Sequence, residues 1–170
     1  EYVQAKTDPA VAGKLLSLVN EHGTVTSFDF ILKAVGEVGG YKVRVHLVGL
    51  TDEAMTVPSR KVVFKDVDGI VFVADSDPAR AKDNVAALKS LRKLLDDEGQ
   101  DLSLMPFVLQ LDNRSHPKAM APDEMKNALG LTAVKTVEAE SKKGVGVFDS
   151  LMEVLKLVLR ALRSGADGGH

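Results

Sequence analysis

Four stretches of this chain gather residue types that can bind a ligand. Asp75-Ser76-Asp77 follows an apolar run, Ile70 to Ala74. Asp112-Asn113-Arg114-Ser115-His116 follows a second, Met105 to Leu111. Asp52-Glu53 lies in a polar loop after residue 50, and Glu138-Ala139-Glu140-Ser141-Lys142-Lys143 precedes the turn Gly144-Val145-Gly146. In open α/β sheets, ligands sit beyond the carboxyl ends of the strands, where such acidic turns occur. Other chemistries find no support. The chain has no cysteine, which excludes thiolates and disulfides. No His/Asp/Glu set has metal-ligand spacing, and no Ser-His-Asp arrangement stands out. His46 falls in the polar phase of a strand, His116-Pro117 reads as a surface turn, and Asp75 reads as a cap or turn former. Gly13-Lys14 lacks the glycine spacing and the following Ser or Thr of a phosphate-binding loop.

The elements that must position these residues begin with Ile70–Ala74. This run is continuous rather than alternating, so it reads as a central parallel strand covered on both faces. Asp77-Pro78 then caps a helix over about 79–97, with Ala81, Val85, Leu88, Leu91 and Leu95 on its apolar stripe. Met105–Leu111 is a second buried strand. Pro122 opens a short helix that Gly130 ends, and residues 131–138 are a further strand candidate. Gly144-Val145-Gly146 is a flexible turn before a final helix marked by Phe148, Leu151, Met152, Leu155, Leu159 and Leu162. Upstream, residues 25–35 and 41–50 form an antiparallel pair, with Gly36–Gly40 as a hairpin signal between them. Residues 13–19 suit a strand or a buried loop, and Ser59-Arg60-Lys61 a short helix or turn. The tail from Ser164 to His170 reads as disordered.

The bulk properties agree. A chain of 170 residues, 45% apolar and 27% charged, suits one soluble domain with a substantial core. Its net charge of −2 gives no case for nucleic-acid binding. No apolar run approaches the ~20 residues of a membrane span, and no signal peptide is visible, so a cytoplasmic setting fits.

The run SRKVVFKDVDGIVFVADS (59–76), with GKLLSL (13–18), FDF (28–30), the pattern of residues 36–47 and GVGVFDSL (144–151), resembles the bacterial MglA-type small GTPases, relatives of Ras and Arf. The resemblance spans about residues 10–162. It implies an α/β, Ras-like three-layer sandwich of the P-loop NTPase type. The sheet is mostly parallel with one antiparallel hairpin, over a domain of residues 1–163. It implies GTP or GDP with magnesium as ligands. It also implies a homodimeric roadblock-type (MglB-like) partner that accelerates hydrolysis, and a role in cell polarity and gliding or twitching motility.

The residues matching the family's nucleotide site depart from its pattern. The phosphate-binding loop G-x-x-x-x-G-K-[ST] occurs nowhere in the chain. Where the family has a γ-phosphate-sensing glycine and a water-orienting glutamine stand Asp52 and Glu53. A carboxylate ~4 Å from a phosphate charge costs about 4 kcal/mol at an effective dielectric of ~20. The guanine-reading motif N-K-x-D is matched by Asp112-Asn113-Arg114-Ser115. A serine cannot supply the paired, charged acceptor that the guanine N1 and N2 groups require. Arg114 reads as a surface charge. The last nucleotide loop, with Ser141, reads as a solvated charge cluster, and Thr24 and Thr26 flank the expected magnesium-binding threonine.

These departures imply a pseudo-GTPase that uses no cofactor and acts by protein–protein contact, as a scaffold or as a regulator of a true MglA-like GTPase or of a roadblock-type dimer. The alternative is a divergent switch that binds and hydrolyses GTP, its phosphate loop lying upstream of Glu1. In the family, the first strand lies mid-sheet, between the strands placed here at 41–50 and 70–75. Without it two strand edges are unpaired, at on the order of 1–3 kcal/mol for each buried backbone group. Residues 13–19 re-routed, a strand donated by a partner or second copy, or direct closure of the flanking strands would fill the gap.

Overall fold

The computed structural model describes residues 2–20, 23–31, 37–38, 41–51 and 64–167. The chain divides into two compact units, residues 1–63 with 163–170 and residues 64–162.

In the first unit, helix α1 (Tyr2–Lys6) buries Val3, and the Thr7 hydroxyl donates to the Val3 carbonyl at 2.8 Å. Strands β1 (Leu16–Asn20), β2 (Gly23–Ile31), β3 (Glu37–Val38), β4 (Tyr41–Lys42) and β5 (Arg44–Leu50) follow. β1, β2 and β5 form an antiparallel sheet in that order, and β3 and β4 pair as a separate hairpin. The expected antiparallel pair is therefore present, with Phe28 opposite Leu47 and Phe30 opposite Val45. Strand alternation puts Phe28 and Phe30 on one face. Both are buried and their rings stack at 5.4 Å, each burial contributing about 1.5–3 kcal/mol. Lys42, Arg44 and His46 are exposed in the opposite phase, and His46 pairs with Asp29 directly across the ladder.

Two readings change here. The antiparallel part is a three-stranded sheet, larger than one hairpin. Leu16–Asn20 is a strand on the outer side of β2, with Leu16 opposite Ser27 and with Leu16, Ser17 and Val19 exposed, so it neither is a buried loop nor fills the expected gap. Among the described residues β5 pairs only with β2 and β6 only with β7, so direct closure of the flanking strands is not seen either. Leu32, Gly36, Gly39, Gly40 and residues 52–63, including Asp52, Glu53 and Ser59–Lys61, lie outside the described residues.

In the second unit, strand β6 (Ile70–Asp75) leads through a 3-10 turn (Pro78–Arg80) to helix α2 (Ala81–Asp97). Strand β7 (Phe107–Asp112), helix α3 (Pro122–Leu129), strand β8 (Lys135–Glu138) and helix α4 (Val147–Asp167), as far as Leu162, complete it. The sheet is parallel in the order β6-β7-β8, with Phe72 opposite Leu109 and Leu109 opposite Thr136. The strand covered on both faces is β7, where Phe107 to Leu111 are all buried. β6 is an edge strand among the described residues. It buries Phe72 and Ala74 while Val73 is half exposed, so a continuous apolar run did not mark the centre of the sheet.

The helix signals are local and hold. Asp77 accepts from the Ala79 N–H at 2.9 Å with Pro78 next in the chain, and Gly130 ends α3 at φ 65°. Leu88, Leu91 and Leu95 of α2 are buried, whereas Val85 is exposed. In α4 Leu151, Val154, Leu155 and Leu159 are buried, but Phe148 and Leu162, assigned to the same stripe, are exposed. α4 continues through Asp167 rather than giving way to a tail at Ser164. Of residues 131–138 only Lys135–Glu138 form a strand. No helix of the described residues is long and apolar enough to cross a membrane.

Candidate functional site

The carboxyl ends of β6, β7 and β8 carry the candidate site, all within the second unit. At the end of β6, Asp75 forms a tight turn by accepting the Asp77 N–H at 2.9 Å. Its outward backbone is engaged by Asn84 of α2, which accepts the Asp75 N–H at 3.1 Å and donates to the Asp75 carbonyl at 2.8 Å. A side-chain amide here takes both the donor and the acceptor that a neighbouring strand would take.

At the end of β7, Asn113 has φ 60°, a left-handed conformation that asparagine tolerates better than most residues. Its amide donates to Asp75 Oδ1 at 3.0 Å, which ties the β7 loop to the β6 turn. Asp112 Oδ1 accepts the Ser141 N–H at 2.7 Å, and the Ser141 hydroxyl accepts from the buried Gln110 amide at 3.0 Å. The Ser115 N–H donates to Glu140 Oε2 at 2.9 Å. Hydrogen bonds from the Ser115 side chain and then its backbone hold the Glu140 carboxyl below its ordinary range, with Lys143 and Lys142 adding to the effect.

Arg114 is not a free surface charge. Its Nε donates to Glu138 Oε2 at 2.8 Å and its Nη1 to the Met120 carbonyl, and the side chain is only 21% exposed. Glu138 and Glu140 are acceptors for the β7 loop, while Glu138, Lys142 and Lys143 remain exposed, as a solvated charge cluster would be. His116 lies 3.8 Å from Asp77 in the turn expected of it. The turn Gly144-Val145-Gly146 is closed by paired backbones of Glu140 and Val145.

The structure thus brings together Asp112, Asn113, Ser115 and Ser141. It places Thr24 and Thr26 in β2, within the first unit, as ladder residues. The Thr24 N–H meets Thr51 Oγ1 at 3.3 Å, and Thr26 lies opposite Gly49. Asp52 and Glu53 lie outside the described residues. Sequence reasoning did not single out Asn84, and it read Arg114, Glu138 and Glu140 as surface charge rather than as bonded groups. Their partners lie up to 25 residues away in the chain, beyond any local signal. Among the described residues no cluster of His, Cys, Asp or Glu is placed to hold a metal ion.

In the stretch that resembles the guanine-reading motif, the Ser115 N–H is engaged by Glu140 and the Asn113 amide by Asp75.

A parallel βαβ sheet joined in sequence to an antiparallel sheet, with polar loops at the parallel strands' carboxyl ends, is an α/β arrangement consistent with a Ras-like protein. The chain is 40% identical over 165 residues to the mutual gliding-motility protein MglA of Myxococcus xanthus (strain DK1622), covering 97% of this chain and 85% of that protein. No protein-family model matches it. The chain belongs to the MglA family of Ras-like small GTPases.

Proposed function

We propose that this chain is a pseudo-GTPase of the MglA family that works through protein–protein contacts, as a scaffold or regulator in bacterial cell polarity or gliding motility. The motility setting is supported by the relation to the Myxococcus protein. One observation carries the loss of nucleotide function: the loop after β7 is bonded to the segments beside it. Ser115 to Glu140, Asn113 to Asp75 and Arg114 to Glu138 form closed pairs where an intact site would leave groups aimed at a base. A guanine would find the Asn113 amide turned to Asp75 and would gain no charged acceptor for its N1 and N2 groups. Asp52 and Glu53 would add repulsion toward a γ-phosphate.

The protein then needs no GTP, GDP or magnesium and hydrolyses nothing. Its partners are a roadblock-type (MglB-like) dimer or a nucleotide-binding MglA-like GTPase, met in the cytoplasm. The test is a titration of the native full-length protein with fluorescent GTP and GDP in magnesium buffer. The expected result is no saturable signal at micromolar protein. Saturable micromolar binding, displaced by guanine but not adenine nucleotides, would overturn the proposal.

A further inference from the structure

Among the described residues, the outer edge of β1 is a strand edge without the usual protection. Thr24 donates its N–H to Thr51 Oγ1 at 3.3 Å and accepts the Thr51 N–H at 3.2 Å, so its backbone faces β5. Antiparallel alternation then turns the backbones of its neighbours across the ladder, Val19 and Ser17, away from β2. Their N–H and C=O groups point outward, where no described strand pairs with them. Leu16 is 62% and Val19 74% exposed, and alternation puts them on opposite faces. The strand reads Leu16-Ser17-Leu18-Val19-Asn20, with no charge, no proline and no glycine. Exposed edges in soluble proteins are ordinarily blunted by such residues.

We propose that this edge pairs with the same edge of a second copy, in an antiparallel ladder centred on Ser17. The sequence is self-complementary in that register. Ser17 meets Ser17, Leu16 meets Leu18, Leu15 meets Val19, and Lys14 meets the uncharged Asn20. Each apolar residue of the edge finds an apolar one, and no like charges oppose. The outward backbone groups of Ser17 and Val19 fall in bonded pairs. The two-fold uses up both edges, so assembly closes at a dimer and joins two three-stranded sheets into one of six strands. An unrelated partner strand would gain selectivity from charges along this edge, and Leu15–Asn20 carries none.

Light scattering across a concentration series of the full-length chain should show twice the monomer mass at high concentration. Val19→Lys, at a largely exposed position, should weaken dimerisation about tenfold or more, because it sets a charge on both edges, while leaving the circular dichroism unchanged. Leu104→Lys, at another exposed leucine outside the edge, should leave the dimer intact. Since the chain has no cysteine, Ser17→Cys supplies a single thiol. Directly opposed Cα atoms about 5.5 Å apart fit a disulfide, so mild oxidation with diamide should cross-link Ser17→Cys and not Leu104→Cys. A monomer at all concentrations, a dimer indifferent to Val19→Lys, or equal cross-linking of both cysteine variants would overturn the proposal.

Discussion

Gly146→Ala should destabilise the protein by about 3 kcal/mol, and the structure says from where. Gly146 has φ 73°, a backbone conformation that strains an L residue by roughly 1–2 kcal/mol. A Cβ there would also lie 2.3 Å from the Glu138 carbonyl oxygen and 2.9 Å from the Ala139 Cα. Both are backbone, so the loop at the end of β8 must move, and overpacking of this kind costs about 1–3 kcal/mol. Gly99 separates the two effects. It also has φ 73°, but nothing lies within 4 Å of an added Cβ. Gly99→Ala pays the strain and recovers roughly 0.4–1 kcal/mol from a less flexible unfolded chain. Thermal unfolding followed by circular dichroism should lower Tm by about 6–12 °C for Gly146→Ala and by a few degrees at most for Gly99→Ala. Because Glu138 holds Arg114, the Gly146 variant should also shift the amide resonances of the 112–116 loop. Equal losses at the two glycines would refute the argument, since only the contact distinguishes them.

Asn84→Ala should cost about 1–2 kcal/mol through two lost bonds to the Asp75 backbone. Asn84→Asp should cost more, because it sets a carboxylate oxygen against the Asp75 carbonyl; urea denaturation ranks the two. Glu140 has its carboxyl lowered by Ser115, so the stability it contributes is present above its ordinary range and lost as pH falls through the depressed folded value. Glu140→Gln should therefore flatten the acid limb of the stability profile and leave the limb above neutrality unchanged. Leu95→Ala, at a fully buried position, should cost about 2–5 kcal/mol, whereas Val85→Ala, at an exposed position of the same helix, should stay within about 0.5 kcal/mol.

The parts of the fold legible in the sequence are those fixed by neighbours in the chain. Asp77-Pro78 and Gly130 mark helix ends because their bonds and dihedrals are local. The β2–β5 pairing is legible because both strands alternate. Burial is less so. The runs at Ile70–Ala74 and Phe107–Leu111 look alike, yet only β7 has a bonded strand on each side among the described residues. Val85, Phe148 and Leu162 continue apolar stripes past the surface that covers them. The candidate site was legible as a location, through Asp112–Ser115 and Ser141. Its internal bonds were not, because Arg114 meets Glu138 across 24 residues and Ser115 meets Glu140 across 25. No composition or period signals such a pair.

The most direct measurement is a residue-resolved NMR titration of the native full-length protein with GDP and GTP in magnesium buffer. If the loop after β7 is held shut by Asp75, Glu138 and Glu140, the amide resonances of Asn113, Ser115 and Ser141 stay in place to millimolar nucleotide. Saturable shifts at those three amides at micromolar guanine nucleotide, absent with adenine nucleotides, would contradict the account.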